Sequence, residues 1–254
     1  MLILLPPSEG KSAAAQGVPV SLENLHFPEL NPARERVLQA LRDVSATADA
    51  HEVLGVGASL GAEVLRNTVL HTEPAAPAHS IYTGVLYDAL DYNGMTPAQR
   101  RKAREHIVVV SALWGAVRFG DPIPAYRLAM SVTLPGAGRL GSFWKGVLDA
   151  PLRAHSEGSL IIDCRSSTYA SAWTPPAERT VAVNVFSERD GKRTVVSHFA
   201  KHTRGALARH LLTRRGKAPS TPEQLLSAAS EAWRAELEPA SGKKPARLDL
   251  VLNA

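Results

Sequence analysis

The segment Ser111–Arg127, SALWGAVRFGDPIPAYR, constrains the fold of this chain more than any other. It follows Ile107–Val110, a run of β-branched apolar residues that predicts a buried strand. Polar and aromatic residues at the end of a buried strand are typical of a ligand site in an α/β protein. The candidates here are Trp114, Arg118, Asp121, Tyr126 and Arg127.

Three other segments repeat this design, in which a strand or hairpin ends in polar residues. They are Ser8–Lys11, Asp163–Tyr169 and His198–Arg204. If the first three strands lie side by side with aligned ends, their polar residues converge into one cleft. Arginine and lysine are the usual anchors for phosphate or carboxylate. The predicted anion- or DNA-binding residues are Ser8, Lys11, Arg118, Tyr126, Arg127, Arg165, Ser166, Tyr169, Lys201 and Arg204.

The predicted cleft has one alternative explanation, and its first loop has a partial similarity to a known motif. Each arginine could instead pair with a nearby carboxylate, that of Glu9, Asp121 or Asp163, on a solvated rim. The sequence around Gly10-Lys11-Ser12 is similar to the end of a phosphate-binding P-loop, but the first glycine of GxxxxGK[ST] is absent. A P-loop is therefore excluded, and only a looser anion-binding loop is predicted.

The periodicity of the chain predicts a mixed α/β (α+β) fold, a single domain over residues 1–254 around a mixed sheet with flanking helices. Helices are predicted over 33–48, 97–106, 142–154, 166–173 and 199–213, with a further helix that begins at Thr221-Pro222. Strands are predicted over 2–5, 80–86, 107–113, 125–132, 160–164, 181–187, 193–198 and 248–252. Asp190-Gly191 is a strong hairpin signal.

A hydrophobic-Gly-hydrophobic-Gly sequence, Leu54-Gly55-Val56-Gly57, lies between two short predicted helices in the segment 48–68. This pattern is typical of a helix-hairpin-helix, whose backbone N–H groups bind a DNA phosphate without reading the base sequence. A glycine-rich turn that only packs two helices together is the alternative.

The net charge of +5 suits a polyanionic partner, although an arginine-rich composition from a GC-rich genome is a simpler explanation. No apolar run approaches the length of a membrane span, and the start of the chain is predicted to be a strand rather than a signal peptide.

Cys164 is the only cysteine, so no internal disulfide can form and a reducing, cytoplasmic setting is expected. Cys164 itself is expected to be buried and inert; the alternative is that Arg165 beside it lowers the pKa of its thiol at an open strand end. The histidines show no metal-binding spacing, so neither a metal nor a cofactor is predicted.

Five motifs together resemble the YaaA family of bacterial peroxide-stress proteins over about residues 1–215. They are MLILLPPSEGK, Tyr82-Thr83-Gly84, SALWGAVRFGDPIPAYRLAM, DCRSSTY and SHFAKHTRG. The chain departs from the usual family pattern at Trp114, Ala129, Asp163 and Arg165, and its tail, about 216–254, matches poorly. It therefore resembles a divergent PPSEGK-type branch.

The resemblance implies a cytoplasmic protein of the hydrogen-peroxide response that limits damage from free intracellular iron. It also implies non-specific binding of double-stranded DNA through a basic cleft and a helix-hairpin-helix in one mixed α/β domain. On this hypothesis, Gly55 and Gly57 hold a phosphate and the cations of the cleft line a channel.

The alternative hypothesis is an enzyme that acts on a nucleotide or modified base. The acids and tyrosines among the cations favour it, since a DNA clamp does not need them. Glu9, Lys11 and Asp163 are the catalytic candidates, with phosphate bound by the arginines and a base stacked on Tyr126 or Trp114. A deep pocket that encloses Glu9, Tyr126 and Arg127 would favour the enzyme, and a long open groove would favour the clamp.

Overall fold

The computed structural model describes residues 1–189, 192–195 and 197–253. The strands are β1 (Leu2–Leu5), β2 (Ala76–Pro77), β3 (Ile107–Ser111), β4 (Gly115–Arg118), β5 (Pro122–Ile123), β6 (Thr133–Leu134), β7 (Gly138–Arg139), β8 (Ile161–Asp163), β9 (Thr180–Arg189), β10 (Lys192–Val195), β11 (Arg234–Glu238) and β12 (Ala246–Asn253). The main sheet has the order β11-β12-β9-β8-β1-β3-β4, and β10 pairs with the free half of β9. The helices are α1 (Asn31–Ser45), α2 (Ala50–Leu54), α3 (Gly61–Arg66), α4 (Ala78–Ile81), α5 (Val85–Leu90), α6 (Pro97–His106), α7 (Leu140–Lys145), α8 (Asp149–His155), α9 (Ser167–Ala170), α10 (Ser197–Thr213) and α11 (Pro222–Ser230). This mixed α/β architecture confirms the predicted fold class.

The centre of the sheet is parallel. Strand β1 lies between β3 and β8, and Leu4 pairs with both Val108 and Asp163. All residues of β1 and β3 are buried, as expected for strands covered on both faces. The condition set for a shared cleft, that these three strands are neighbours with aligned ends, is thus met.

The edges of the sheet are antiparallel and come from two strands that the sequence pattern did not reveal. Strand β4 turns back on β3, and β11 pairs with β12. The tail after residue 216 is therefore part of the sheet, since β12 runs parallel to β9 along its length.

Several predicted elements differ in the structure. Residues 80–86 do not form a strand; α4 and α5 flank Gly84, whose φ of 85° suits glycine. The segment 125–132 is irregular, because the side chain of Asn67 bonds the backbone of Arg127 where a ladder would otherwise run. The helix predicted over 142–154 is two helices, α7 and α8.

The predicted hairpin is formed by β9 and β10, which pair antiparallel. Asp190-Gly191 lies outside the described residues. The strand predicted over 193–198 ends at Val195, because helix α10 already begins at Ser197.

Helix α10 packs unusually closely on α5. A Cβ added to Gly205 would lie 2.0 Å from the carbonyl oxygen of Leu86, so only glycine allows this approach. The contact fixes the first turns of α10 over the carboxyl ends of the parallel strands. No helix within the described ranges is long and apolar enough to cross a membrane.

Candidate functional site

A cavity of about 810 Å³ opens at the carboxyl ends of the parallel strands. Its origin is a difference in strand length: β8 ends at Asp163, opposite Ala182, while β9 runs on. The overhanging residues of β9 form one wall, and the loops after β1 and β8 form others. Of the predicted site residues, the cavity is lined by Ser8, Glu9, Asp163, Arg165, Ser166, Tyr169, Lys201 and Arg204.

The Ser8–Lys11 loop is held by its own side chains. The hydroxyl of Ser8 accepts a hydrogen bond from the Thr83 N–H (3.0 Å), which ties the loop to the start of α5. The Nζ of Lys11 donates to the Ser8 carbonyl (2.8 Å) and lies 4.2 Å from the centre of the Tyr126 ring. Burial lowers the pKa of Lys11 to about 7, and the Glu9 carboxylate opposes that shift. Lys11 thus braces the loop and does not line the cavity.

Arg127 is already neutralised. Its guanidinium lies 3.2 Å from the Glu9 carboxylate and 3.6 Å from that of Glu63, and only 16% of its side chain is exposed. It also donates to the Glu9 carbonyl (3.1 Å). Arg127 therefore follows the alternative in which arginines pair with carboxylates of the protein. It is not free to bind an anionic ligand.

Arg165 forms a buried pair with Asp163. Two parallel bonds of 2.7 and 2.8 Å join guanidinium and carboxylate, and the guanidinium also donates to the carbonyls of Tyr169 and Trp173. The side chain of Arg165 is fully buried and that of Asp163 is 11% exposed. The pair therefore fixes the loop after β8, and both partners are already bonded.

Lys201 and Arg204 are the cations of the cavity that keep free donors among the described residues. Arg204 donates from Nε and Nη2 to the Val183 carbonyl, at 3.3 and 2.9 Å, so Nη1 remains available. Lys201 is exposed and has no partner in the described part of the chain. Helix α10 carries both residues to the cavity.

Arg118 does not join this cleft, contrary to the sequence-based expectation. Strand β4 runs antiparallel to β3, which places Arg118 opposite Val108 at the amino end of the parallel strands. There its guanidinium donates to the Arg104 carbonyl (2.9 Å). Asp121 lies at the same end, where its buried carboxylate accepts from the Arg118 N–H and bonds His26 Nδ1 (2.5 Å).

The tyrosines also divide between core and cavity. The hydroxyl of Tyr126 bonds those of Ser111 (2.7 Å) and Tyr82 (3.2 Å) in the core. Burial raises the pKa of both Tyr126 and Tyr169 above the usual value for tyrosine. Unlike Tyr126, Tyr169 lines the cavity. Trp114 is fully buried, so neither it nor Tyr126 offers the cavity a stacking face.

The Gly55–Gly57 turn joins α2 to the 3₁₀ turn Ala58–Leu60 and then α3. Gly55 has a φ of 64°, which favours glycine, whereas Gly57 has an ordinary φ of −73°. The backbone N–H groups of Gly57, Ala58 and Ser59 have no acceptor among the described residues. A second cavity of about 380 Å³ adjoins the turn and is lined by Gly55, Val56, Glu9 and Arg127, among others.

Sequence reasoning missed part of the cavity wall. Tyr87 lies in α5, and Asn184 and Phe186 lie in the overhang of β9. The family motif Tyr82-Thr83-Gly84 pointed to the first of these segments. No local signal marks the overhang, since it depends on where a neighbouring strand ends.

Cys164 is buried and free of any disulfide, and burial raises the pKa of its thiol to about 12, which fits the expected inert role. Within the described ranges, no three His, Cys, Asp or Glu side chains are grouped in a way that could hold a metal ion.

The arrangement of Glu9, Tyr126 and Arg127, which was expected to distinguish an enzyme from a DNA clamp, agrees fully with neither. Glu9 lines the large cavity, although its side chain is 59% exposed, whereas Tyr126 and Arg127 do not line it. Arg127 instead lines the second cavity with Glu9.

The fold and the cavity define a mixed α/β protein with a ligand-sized site at the carboxyl ends of its parallel strands. Residues 1–238 match the model of the family described as "Peroxide stress protein YaaA", and the chain belongs to this family of peroxide stress proteins. The resemblance predicted from the motifs is therefore confirmed.

Two relatives of this chain are UPF0246 proteins, and a third is described as uncharacterised. A UPF0246 protein of Streptomyces coelicolor is 44% identical over all of this chain and 99% of its own length. A UPF0246 protein of Corynebacterium efficiens is 44% identical over 84% of this chain and 85% of its own length. An uncharacterised protein of Campylobacter jejuni is 28% identical over 82% of each chain.

Proposed function

We propose that this peroxide stress protein binds double-stranded DNA without sequence specificity, with the Gly55–Gly57 turn as its principal phosphate contact. The N–H groups of Gly57, Ala58 and Ser59, which have no acceptor among the described residues, carry the proposal. Consecutive backbone amides at the start of a helical segment suit a phosphate oxygen and carry no base information.

The surface above the turn is open to a ligand. A Cβ added to Gly55 meets nothing within 4 Å, and one added to Gly57 meets only the Ser59 hydroxyl at 4.0 Å. Lys201 and Arg204 supply further phosphate contacts at the mouth of the large cavity. This is a smaller cation set than the cleft predicted from sequence, because Lys11, Arg127 and Arg165 are bonded internally and Arg118 lies at the other end.

DNA held in this way in a peroxide-stressed cell would be shielded where iron-driven radicals form. The proposal therefore includes the limitation of iron damage that the family resemblance implies, and it places the protein in the cytoplasm with the DNA.

The test is binding to a fluorescent duplex over a salt series from about 50 to 200 mM. Gly57→Val adds a branched side chain at the first of these amides, at a φ that any residue adopts, so the fold should persist while a phosphate meets added bulk. We expect about a tenfold loss of affinity, the size of a lost hydrogen bond to a charged group. Ala62→Val, on the exposed surface of α3, is the matched control and should bind like the wild type.

Two results would count against the proposal. A wild-type protein that binds no duplex at low salt would remove DNA binding altogether. Duplex binding that Gly57→Val leaves unchanged would remove the turn as the contact.

A further inference from the structure

The large cavity is more than a phosphate contact needs. Its lining is mostly apolar and includes Tyr87, Val85 and, along β9, Val183, Val185 and Phe186. A groove that follows a DNA backbone needs cations rather than apolar walls. Apolar and aromatic walls around about 810 Å³ are instead typical of a site that encloses a small planar ligand.

The polar groups of the cavity are few and lie with the apolar walls. Ser166 and Ser167 have hydroxyls with no partner in the described part of the chain, and Asn184 uses its amide nitrogen on Asp249 and keeps its oxygen free. Lys201 and Arg204 add positive charge with free donors. An apolar slot with a few hydrogen-bonding groups and two cations fits a flat heteroaromatic ring that carries a phosphate.

The large cavity also shares a lining residue with the second cavity, which adjoins the proposed phosphate contact. Glu9 lines both the large cavity and the second cavity beside Gly55 and Val56. On the proposed function, a nucleic-acid strand held at the Gly55–Gly57 turn would reach the large cavity by way of Glu9.

From these observations we propose that the large cavity takes up one nucleotide unit, with its base between the apolar walls and its phosphate at Lys201 and Arg204. The unit is either an extrahelical nucleotide of bound DNA or a free mononucleotide. The DNA source rests on the proposed function, and unstacking a base costs least at a mismatch or lesion.

The experiment uses the full chain and a duplex that carries 2-aminopurine at a mismatch, whose fluorescence rises when the base leaves the stack. Ala170→Phe fills the cavity from the half-exposed end of α9, and Ala154→Phe adds the same ring to the exposed surface of α8 as control. In parallel, dAMP binding is measured by equilibrium dialysis. Thermal melting establishes that both variants fold.

If DNA is the source, the wild type and Ala154→Phe raise the fluorescence and Ala170→Phe does not, while its duplex affinity stays within about threefold of wild type. If free nucleotide is the source, dAMP binds saturably to the wild type and Ala154→Phe only, with no fluorescence rise.

The proposal is overturned if neither signal is seen, or if Ala170→Phe gives the same signals as the wild type. Salt-dependent duplex binding would then still stand, and the Gly55–Gly57 turn with it. Loss of all duplex binding in the wild type would instead reject the proposed function, whatever dAMP does.

Discussion

The Ser8–Lys11 loop and the Gly55–Gly57 turn border the same small cavity through Glu9 and Gly55, yet they differ in how much of their polarity is available. The loop and its neighbours are rich in charge, but Lys11 and Arg127 are bonded to carbonyls and carboxylates of the protein itself. The turn has no charged residue, and the N–H groups of Gly57 and of the following Ala58 and Ser59 have no acceptor within the described ranges. A lysine or arginine can therefore be counted as a potential anion ligand only if its side chain is not already bonded to the protein itself.

The largest effect should come from breaking the most deeply bonded cation. Arg165→Ala leaves the carboxylate of Asp163 almost buried and without its partner, so we expect a loss of about 3–5 kcal/mol in the free energy of unfolding. Arg153→Ala breaks a pair with Asp149 in which both side chains are about half exposed, and should cost about 1 kcal/mol or less. Urea denaturation of both variants measures the difference. Equal losses would mean that Arg165 is not a structural residue.

A second effect concerns Lys11 and appears in the pH dependence of stability. Its pKa is lowered to about 7 in the folded protein from 10.5, so between these values the unfolded chain binds more protons. Stability should therefore rise with pH from about 7 to about 10.5, by at most about 1.4 kcal/mol per pH unit from this group.

Lys11→Met removes this titration and should flatten the rise, whereas Lys243→Met, at an exposed position, should keep it. The free energy of unfolding at a series of pH values is the measurement. An unchanged slope in Lys11→Met would show that Lys11 is solvated and ordinary.

A third, smaller effect compares an open cation with a bonded one in DNA binding. Lys201→Ala should lower the slope of log affinity against log salt by about 0.9, the contribution of one phosphate contact. Arg127→Ala should leave the slope almost unchanged, because Glu9 and Glu63 already neutralise that guanidinium. The reverse order would mean that DNA displaces the carboxylates from Arg127.

These differences also show which parts of the molecule could be predicted from sequence. The buried strands β1, β3 and β8 were evident, since continuous apolar runs permit few other structures, and their shared edge placed Ser8, Asp163 and Arg165 together. The fate of each charge was not evident, because it depends on partners far apart in the chain, such as Glu63 for Arg127. Arg118 was misplaced for a related reason: the reversal of β4 shows no local signal beyond Gly115, whose φ of 68° permits the tight turn after β3.

The smallest expected effect is a gain in duplex affinity when Arg127 is released from one of its two carboxylate partners. Glu9→Gln removes one carboxylate from Arg127 and one negative charge from the border of both cavities, while the side chain keeps its size. We expect duplex affinity to rise about two- to threefold at low salt, since Glu63 still pairs with Arg127 and limits the gain. Glu23→Gln, which changes net charge equally at an exposed position away from both cavities, separates this local effect from net charge. A gain of equal size in both variants would assign the effect to net charge, and a loss in Glu9→Gln would mean that the carboxylate itself contacts the bound nucleic acid.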